Sequence, residues 1–452
     1  MSRRRVALGI AANALDRVVL ALIQIALVPI LATHWGLERF GGWSLLWTVP
    51  GLFVLGDLGF ANAATVRMVM EVSRGERAAA RVTMHSASQV VLGACAAIVL
   101  SVAALALALP DAWLPAVAGT SALDLRVAII ALAAYSALVM SSGLIQGLFR
   151  CNGRFAVGVL YATGTAILET GLLVGVVLTG GGIAAGALAV LVGRVAGLAL
   201  TWAGAAAMRS GLLPGFAAGS AAVRSELLGP ALAAMAIPLG TALLLQGTVI
   251  ALGWAAGAAA VPAFVAARTL SRIGLQGTQM LTHALMPEFG IATATGNRRG
   301  QVRMFVLVLS AALVLTVPFA LVLGLAGPWI IRLWSNGQIA APAALTAAIA
   351  VSALCGGIWN PVSNLILAMN RQADFAPAYC ALAASGVGLT LLLAGSLAGT
   401  APALALAVVD LAMLAVVLRF ALRHWAAKEE WLAHARSMAG EGRDLLARTL
   451  RR

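Results

Sequence analysis

Twelve apolar runs, each long enough to cross a bilayer, recur along this chain near 8–32, 41–66, 83–108, 126–149, 156–180, 182–208, 228–252, 262–290, 304–327, 343–369, 376–397 and 399–422. About 20 apolar residues in helical conformation span the ~30 Å hydrocarbon core of a membrane. No water is available there to satisfy backbone amides and carbonyls, so each run must pair its own backbone. The runs therefore predict an all-α polytopic membrane protein of about 12 transmembrane helices. A chain that is 62% apolar and 10% charged agrees with that class.

The net charge of +14 does not call for nucleic acid, because the basic residues sit mainly in short segments between runs. If the N-terminus is cytoplasmic, 23 basic residues fall on that side and three (Arg39, Arg126, Arg332) on the other. This asymmetry predicts that both termini are cytoplasmic. Met1-Ser-Arg-Arg-Arg5 resembles the start of a signal peptide, but the apolar stretch continues past Ile30 without a small-residue cleavage site. An uncleaved first span is expected.

Two junctions repeat. Gly75-Glu-Arg77 after span 2 parallels Gly296-Asn-Arg298 after span 8 at an offset of 221, and Arg154-Phe155-Ala156 parallels Asp374-Phe375-Ala376 at 220. The agreement favours two six-span halves of the same orientation. It divides the chain into an N-terminal lobe (1–208), a cytoplasmic linker rich in Gly and Pro (209–227), a C-terminal lobe (228–424) and a cytoplasmic tail (425–452). The tail mixes tryptophan and leucine with charge and is too polar to cross. It reads as an interfacial amphipathic helix.

Enzymatic chemistry finds no support. The loops are too short for an external catalytic domain, and acid/base carboxylate pairs, a nucleophile triad, a phosphate-cradling loop and Cys/His metal spacing are missing. Cys95, Cys151, Cys355 and Cys380 show no paired spacing, so neither a disulfide framework nor a metal site is indicated. No cofactor is expected. What remains is a set of polar residues inside the runs.

The densest set is in span 8, where Arg268, Arg272, Gln276, Gln279 and His283 follow at steps of four, four, three and four. At 100° per residue they share one face about 80° wide. A guanidinium at the centre of a membrane helix costs about 2.5–3.5 kcal/mol on insertion scales, so this face should line a cavity rather than meet lipid. His283 serves as a hydrogen bonder or a proton site. In span 1, Asn13, Arg17 and Gln24 lie within about 40° of one another, with Asp16 about 60° to one side. They line the same cavity or, for Asp16 and Arg17, snorkel to the near interface. Arg194 in span 6 and Glu169 in span 5 pair between helices or serve the cavity. Asp57, Glu288 and Asp410, with Asp16 and Glu169, are the acids available for ion or proton coupling. Arginines in a dry cavity suit a diphosphate better than a cation or a neutral sugar, since the guanidinium fork matches phosphate oxygens.

Several segments resemble Wzx-type polysaccharide flippases of the multidrug/oligosaccharidyl-lipid/polysaccharide exporter superfamily. They are Trp35-Gly-Leu-Glu-Arg-Phe-Gly-Gly-Trp43, Gly56-Asp57-Leu-Gly59 with the run to Arg67, Gly143-Leu-Ile-Gln-Gly-Leu-Phe-Arg150 with Arg154-Phe155, Ala266-Ala-Arg268, Ala284-Leu-Met-Pro287 and Ile331-Arg-Leu-Trp334. The resemblance covers residues 8–424. It implies two six-helix lobes around a central cavity, and a place in a bacterial inner membrane. It also implies transfer of an undecaprenyl-diphosphate-linked oligosaccharide from the cytoplasmic to the periplasmic leaflet by alternating access, for cell-surface or exopolysaccharide biosynthesis. Arg17 and Arg268 occupy places corresponding to the cavity cations of such flippases. The implied partners are the polyprenyl-diphosphate-linked glycan, membrane lipids, and a polysaccharide polymerase or glycosyltransferases; a monomer is expected. The alternatives are a multidrug or organic-ion antiporter of the same superfamily, which would want an acidic cavity, and a lipid II flippase, which typically has two further spans.

Overall fold

The computed structural model describes residues 3–53, 56, 59–114, 117, 119–369 and 371–425. No strand occurs among them. The helices are α1 (Arg3–Leu46), α2 (Thr48–Phe53), α3 (Phe60–Ser73), α4 (Arg77–Ala108), α5 (Ala122–Cys151), α6 (Phe155–Leu178), α7 (Ile183–Ala207), α8 (Ala221–Ala242), α9 (Thr248–Ala256), α10 (Val261–Ala294), α11 (Arg298–Trp334), α12 (Ala343–Ala368), α13 (Ala376–Leu397) and α14 (Thr400–Trp425). Eleven helical stretches of the described residues are long and apolar enough to cross a membrane. The first of them, Leu8–Phe53, has 46 residues and would be ~69 Å if straight, about twice a hydrocarbon core. It breaks at Gly36, whose φ of 72° and ψ of 172° suit only glycine. This stretch thus holds the first crossing and the start of the second, and the all-helical polytopic fold expected from the apolar runs stands.

The second crossing is not one continuous helix, in keeping with the break that Pro50 implies. It is assembled from the end of α1, α2 and α3. Pro50 has no amide to offer the Leu46 carbonyl and its ring crowds that carbonyl, so the helix interrupts at Trp47. The seventh crossing, the first of the second half, is interrupted too: a π-helical turn, Leu243–Gly247, separates α8 from α9. These two broken crossings meet where Gly51 lies against the Gln246 side chain, with no room for a Cβ between them. Discontinuous membrane helices are where transporters usually build their binding sites.

Each half packs through small residues. In the first, α7 lies on α5 and α6, and a Cβ on Gly193 would fall 2.8 Å from the Glu169 Cα. Helices without a hydrophobic drive to associate gain their contact from such close backbone approach. In the second half, α12 is central, packed on α10, α11 and α14. Trp425, expected at the start of the tail, instead ends α14 and is fully buried, its ring 5.6 Å from Phe289 and 5.0 Å from Phe305. Residues 426–452, read as an interfacial helix, lie outside the described residues.

The halves are tied together at several places. The segment before α8 is held on α4, where Ala218 N–H donates to His85 Nδ1 (3.0 Å) and Gln89 donates to the Phe216 carbonyl (2.9 Å). Arg67 of α3 reaches Glu226 of α8 at 2.6 Å. Pro29, inside α1, leaves the Ile25 carbonyl without its helical amide, and the Trp334 indole at the end of α11 donates to it at 2.9 Å.

Candidate functional site

A cavity of about 420 Å³ lies between the halves. The first half contributes α1 with Gln24, Trp43 and Ser44, the break at Trp47, Tyr135 from α5, Glu169 and Thr170 from α6, and Arg194 from α7. Gln246 from the π-helical turn and Arg268, Thr269 and Arg272 from α10 complete it.

Glu169 and Arg194 are brought together by the α6–α7 packing. Arg194 Nε approaches Glu169 Oε1 at 2.6 Å, and its Nη2 donates to Oε2 at 3.0 Å. Tyr135 closes the cluster: its hydroxyl donates to Glu169 Oε2 at 3.1 Å and accepts from Arg194 at 3.0 Å, with the guanidinium 5.0 Å from the ring centre. The pairing left open by the sequence is therefore formed, and it is formed at the cavity wall.

The other two cavity arginines have no such counter-charge. Arg268 donates to the Leu245 carbonyl in the π-helical turn and sits 5.2 Å from the centre of the Phe264 ring. Arg272, one turn further, is exposed and makes no hydrogen bond or ion pair among the described residues. Glu169 is the only acid among the described lining residues. Three arginines against one glutamate leave the cavity with two formal positive charges.

Not every expected site residue reaches this place. Gln276 and Gln279 continue along α10 beyond the cavity lining. His283 lies in α10, and its side chain falls outside the described residues. Of the span 1 candidates only Gln24 lines the cavity, with its Oε1 buried and without a hydrogen-bond partner among the described residues. Arg17 is exposed seven residues away, about 10 Å along the helix. Asn13 donates to its own helix at the Gly9 carbonyl (3.0 Å), and Asp16 accepts from Thr163 (2.7 Å). Asp57 lies outside the described residues. Glu288 is exposed. Asp410 is buried within the second half, where Ser352 and the Trp359 indole (2.9 Å) donate to it. Sequence reasoning missed Trp43, Trp47, Tyr135 and Gln246; the four-residue step of the tryptophans beside Pro50 was the available signal.

At one end of the cavity the halves meet backbone to backbone. Gly41 lies against the Ala258 carbonyl and Pro262, and Gly253 against Leu45. A Cβ on Gly41 would overlap the Ala258 carbonyl oxygen, so only glycine permits this closure. Gly41→Val is expected to hold that end open. In a background lacking the four cysteines, a cysteine at Thr269 should then react several-fold faster with an impermeant maleimide added from that side. Unchanged labelling would show that the Gly41 contact is not the closure.

No protein-family model matches the sequence, and no curated protein does. Solved structures match in shape. An inward-facing multidrug resistance transporter of the MATE family, MOP superfamily, superposes with a TM-score of 0.72 at 12% identity, covering 88% of this chain and 93% of that one. The lipid II flippase MurJ, in an inward closed conformation, gives 0.68 at 13% identity over 95% and 90%. A MOP-superfamily transporter from Pyrococcus furiosus, described as having a binding pocket of reverse polarity, gives 0.56 at 13% over 91% and 92%. The chain is a multi-pass membrane protein with a transporter fold. That fold is the one shared by the MATE and MurJ transporters, and at these identities the likeness is one of fold.

Proposed function

We propose that this protein is a flippase for a lipid-linked oligosaccharide, moving a polyprenyl-diphosphate head group across a bacterial inner membrane from the cytoplasmic to the periplasmic leaflet. The observation that carries this reading is the cavity's uncompensated charge. Arg268 and Arg272 face a space whose one described acid is already paired with Arg194. In a low-dielectric site, a cation facing no anion is retained at a cost unless a ligand supplies the anion. Two guanidinium groups one helical turn apart suit a diphosphate.

Both termini are cytoplasmic in this reading, which places the Gly41 closure at the periplasmic end and Arg17 nearer the cytoplasm. Arg17 would then meet the head group first and hand it to Arg272 and Arg268 as the lobes exchange faces, while the lipid tail stays in the bilayer. An inside-negative potential favours outward movement of the anion by about 2.3 kcal/mol per charge per 100 mV. A multidrug antiporter for organic cations is disfavoured by the same two arginines. A lipid II flippase would share the cationic cavity, so the glycan separates the two.

The test is reconstitution into vesicles. A fluorescent undecaprenyl-diphosphate oligosaccharide should cross in a protein-dependent manner, at a rate that rises with an imposed potential, whereas a cationic dye should not. Transport of the dye but not of the lipid would overturn the reading. In cells, a deletion strain should accumulate a complete, untranslocated lipid-linked glycan.

A further inference from the structure

The arginines account for part of the cavity lining. Another part is aromatic. Trp35, Trp43, Trp47 and Tyr135 form a continuous ladder: Trp35 meets Trp43 edge-on at 5.5 Å, Trp43 stacks on Trp47 at 5.3 Å, and Trp47 leans on Tyr135 at 5.5 Å. Trp43 is 4% exposed and Tyr135 7%, but Trp47 is 37% exposed and lines the cavity. The ladder therefore buries its other rings and presents this one.

Its position is fixed from three sides. The helix interruption before Pro50 takes Trp47 out of the regular helix. Trp43 backs one side of its ring. Tyr135 stands beside it and is itself pinned through its hydroxyl by Glu169 and Arg194. An apolar core needs no exposed indole held this firmly.

The hydrogen-bonding inventory also points to a ligand. The Trp35, Trp334 and Trp359 indoles donate to the Gly181 carbonyl, the Ile25 carbonyl and Asp410. The two cavity-lining indoles, Trp43 and Trp47, make no hydrogen bond among the described residues. The buried Gln24 Oε1 beside them is likewise unpartnered. Open donors, an open acceptor and a rigid aromatic face suit a pyranose ring. One face of such a ring carries polarised C–H bonds that lie well on the negative π surface, while its rim carries hydroxyls that both donate and accept.

We propose that Trp47, backed by Trp43 and Tyr135, is the subsite for the sugar attached directly to the diphosphate. The first half of the protein thus holds the sugar while the second half holds the phosphates. This rests on the anion-binding role of Arg268 and Arg272 proposed above and adds a specificity to it. A polyprenyl diphosphate without sugar engages only the second half, whereas the glycosylated lipid bridges both. The cavity's size, within the range of about 300–1,000 Å³ usual for small-ligand sites, has room for a diphosphate and its nearest sugar rather than a long glycan.

The experiment compares two probes on the detergent-solubilised full-length protein: farnesyl diphosphate and farnesyl diphosphate carrying one N-acetylglucosamine. The sugar-bearing probe should bind about tenfold more tightly to the wild type. Trp47→Ala should make the two probes equal, Trp47→Phe should keep most of the difference, and Arg272→Ala should weaken both alike. Equal binding of both probes to the wild type would overturn the sugar subsite, as would a Trp47→Ala variant that weakens both probes equally. If Arg268→Ala with Arg272→Ala leaves both probes bound as before, the anion site itself fails, whatever Trp47 does.

Discussion

Replacing Arg268 and Arg272 together by alanine should abolish translocation while leaving the protein folded and at least as abundant as the wild type. Each guanidinium–phosphate hydrogen bond is worth about 1.5–3 kcal/mol, so losing two sets weakens head-group binding by roughly 10²- to 10⁴-fold. Stability should move the other way. A cation inside a membrane helix costs about 2.5–3.5 kcal/mol, and Arg272 has no partner among the described residues to offset it. Arg268 loses only its bond to the Leu245 carbonyl and its contact with Phe264. Lysine at both positions keeps charge without the planar fork and should restore part of the transport. Glycan export and the melting temperature of purified protein provide the two readouts. Normal export by the double alanine variant would remove the cationic cavity as the basis of function, and a fall in stability would show that the arginines are structural.

The opposite pattern is expected at Glu169. Its side chain is 8% exposed and that of Arg194 15%, so exchanging Glu169 for alanine leaves a guanidinium stranded at the cavity wall. Breaking a buried pair by removing one member costs about 3–5 kcal/mol, and the variant should lose much of its folded yield. Removing both charges, as Glu169→Leu with Arg194→Met, should recover most of it, because well-packed apolar pairs replace buried ion pairs at little cost. A double-mutant cycle by chemical denaturation in detergent checks this. If the single and double variants are equally stable, the pair contributes nothing to the fold and its place in the cavity must have another explanation.

These two clusters show what a sequence reveals in a membrane protein and where it stops. Hydropathy alone gives the crossings, because each must match the bilayer. The angular spacing of Arg268 and Arg272 gives their shared face, and the cost of a charge in lipid gives the direction of that face. Depth is another matter. The same periodicity extends the stripe to Gln276 and Gln279 and matches it with Arg17, but the cavity includes none of the three. Where a cavity begins and ends is set by how neighbouring helices pack, and that is a contact between distant parts of the chain. The meeting of Glu169 with Arg194 depends on Gly193, whose missing side chain lets α6 come close enough. The break at Trp47 is legible in Pro50. The aromatic lining beside it is not, since tryptophans in an apolar stretch look like lipid anchors until their partners are known. Asp410, read as a coupling acid, is engaged by Ser352 and Trp359 within the second half, away from the cavity lining.

The link between Trp334 and the Ile25 carbonyl bears on the timing of the transport cycle. Pro29 leaves that carbonyl with an open valence inside the membrane, and a residue more than three hundred positions away in sequence fills it. Any rearrangement that carries α11 away from α1 strips that acceptor of its donor, a cost of about 0.5–1.5 kcal/mol, the net worth of one such bond. Such a bond acts like a detent in a mechanical switch. It deepens the well of one conformation and slows departure from it, while a ligand that pulls the halves into a new arrangement supplies the energy to release it.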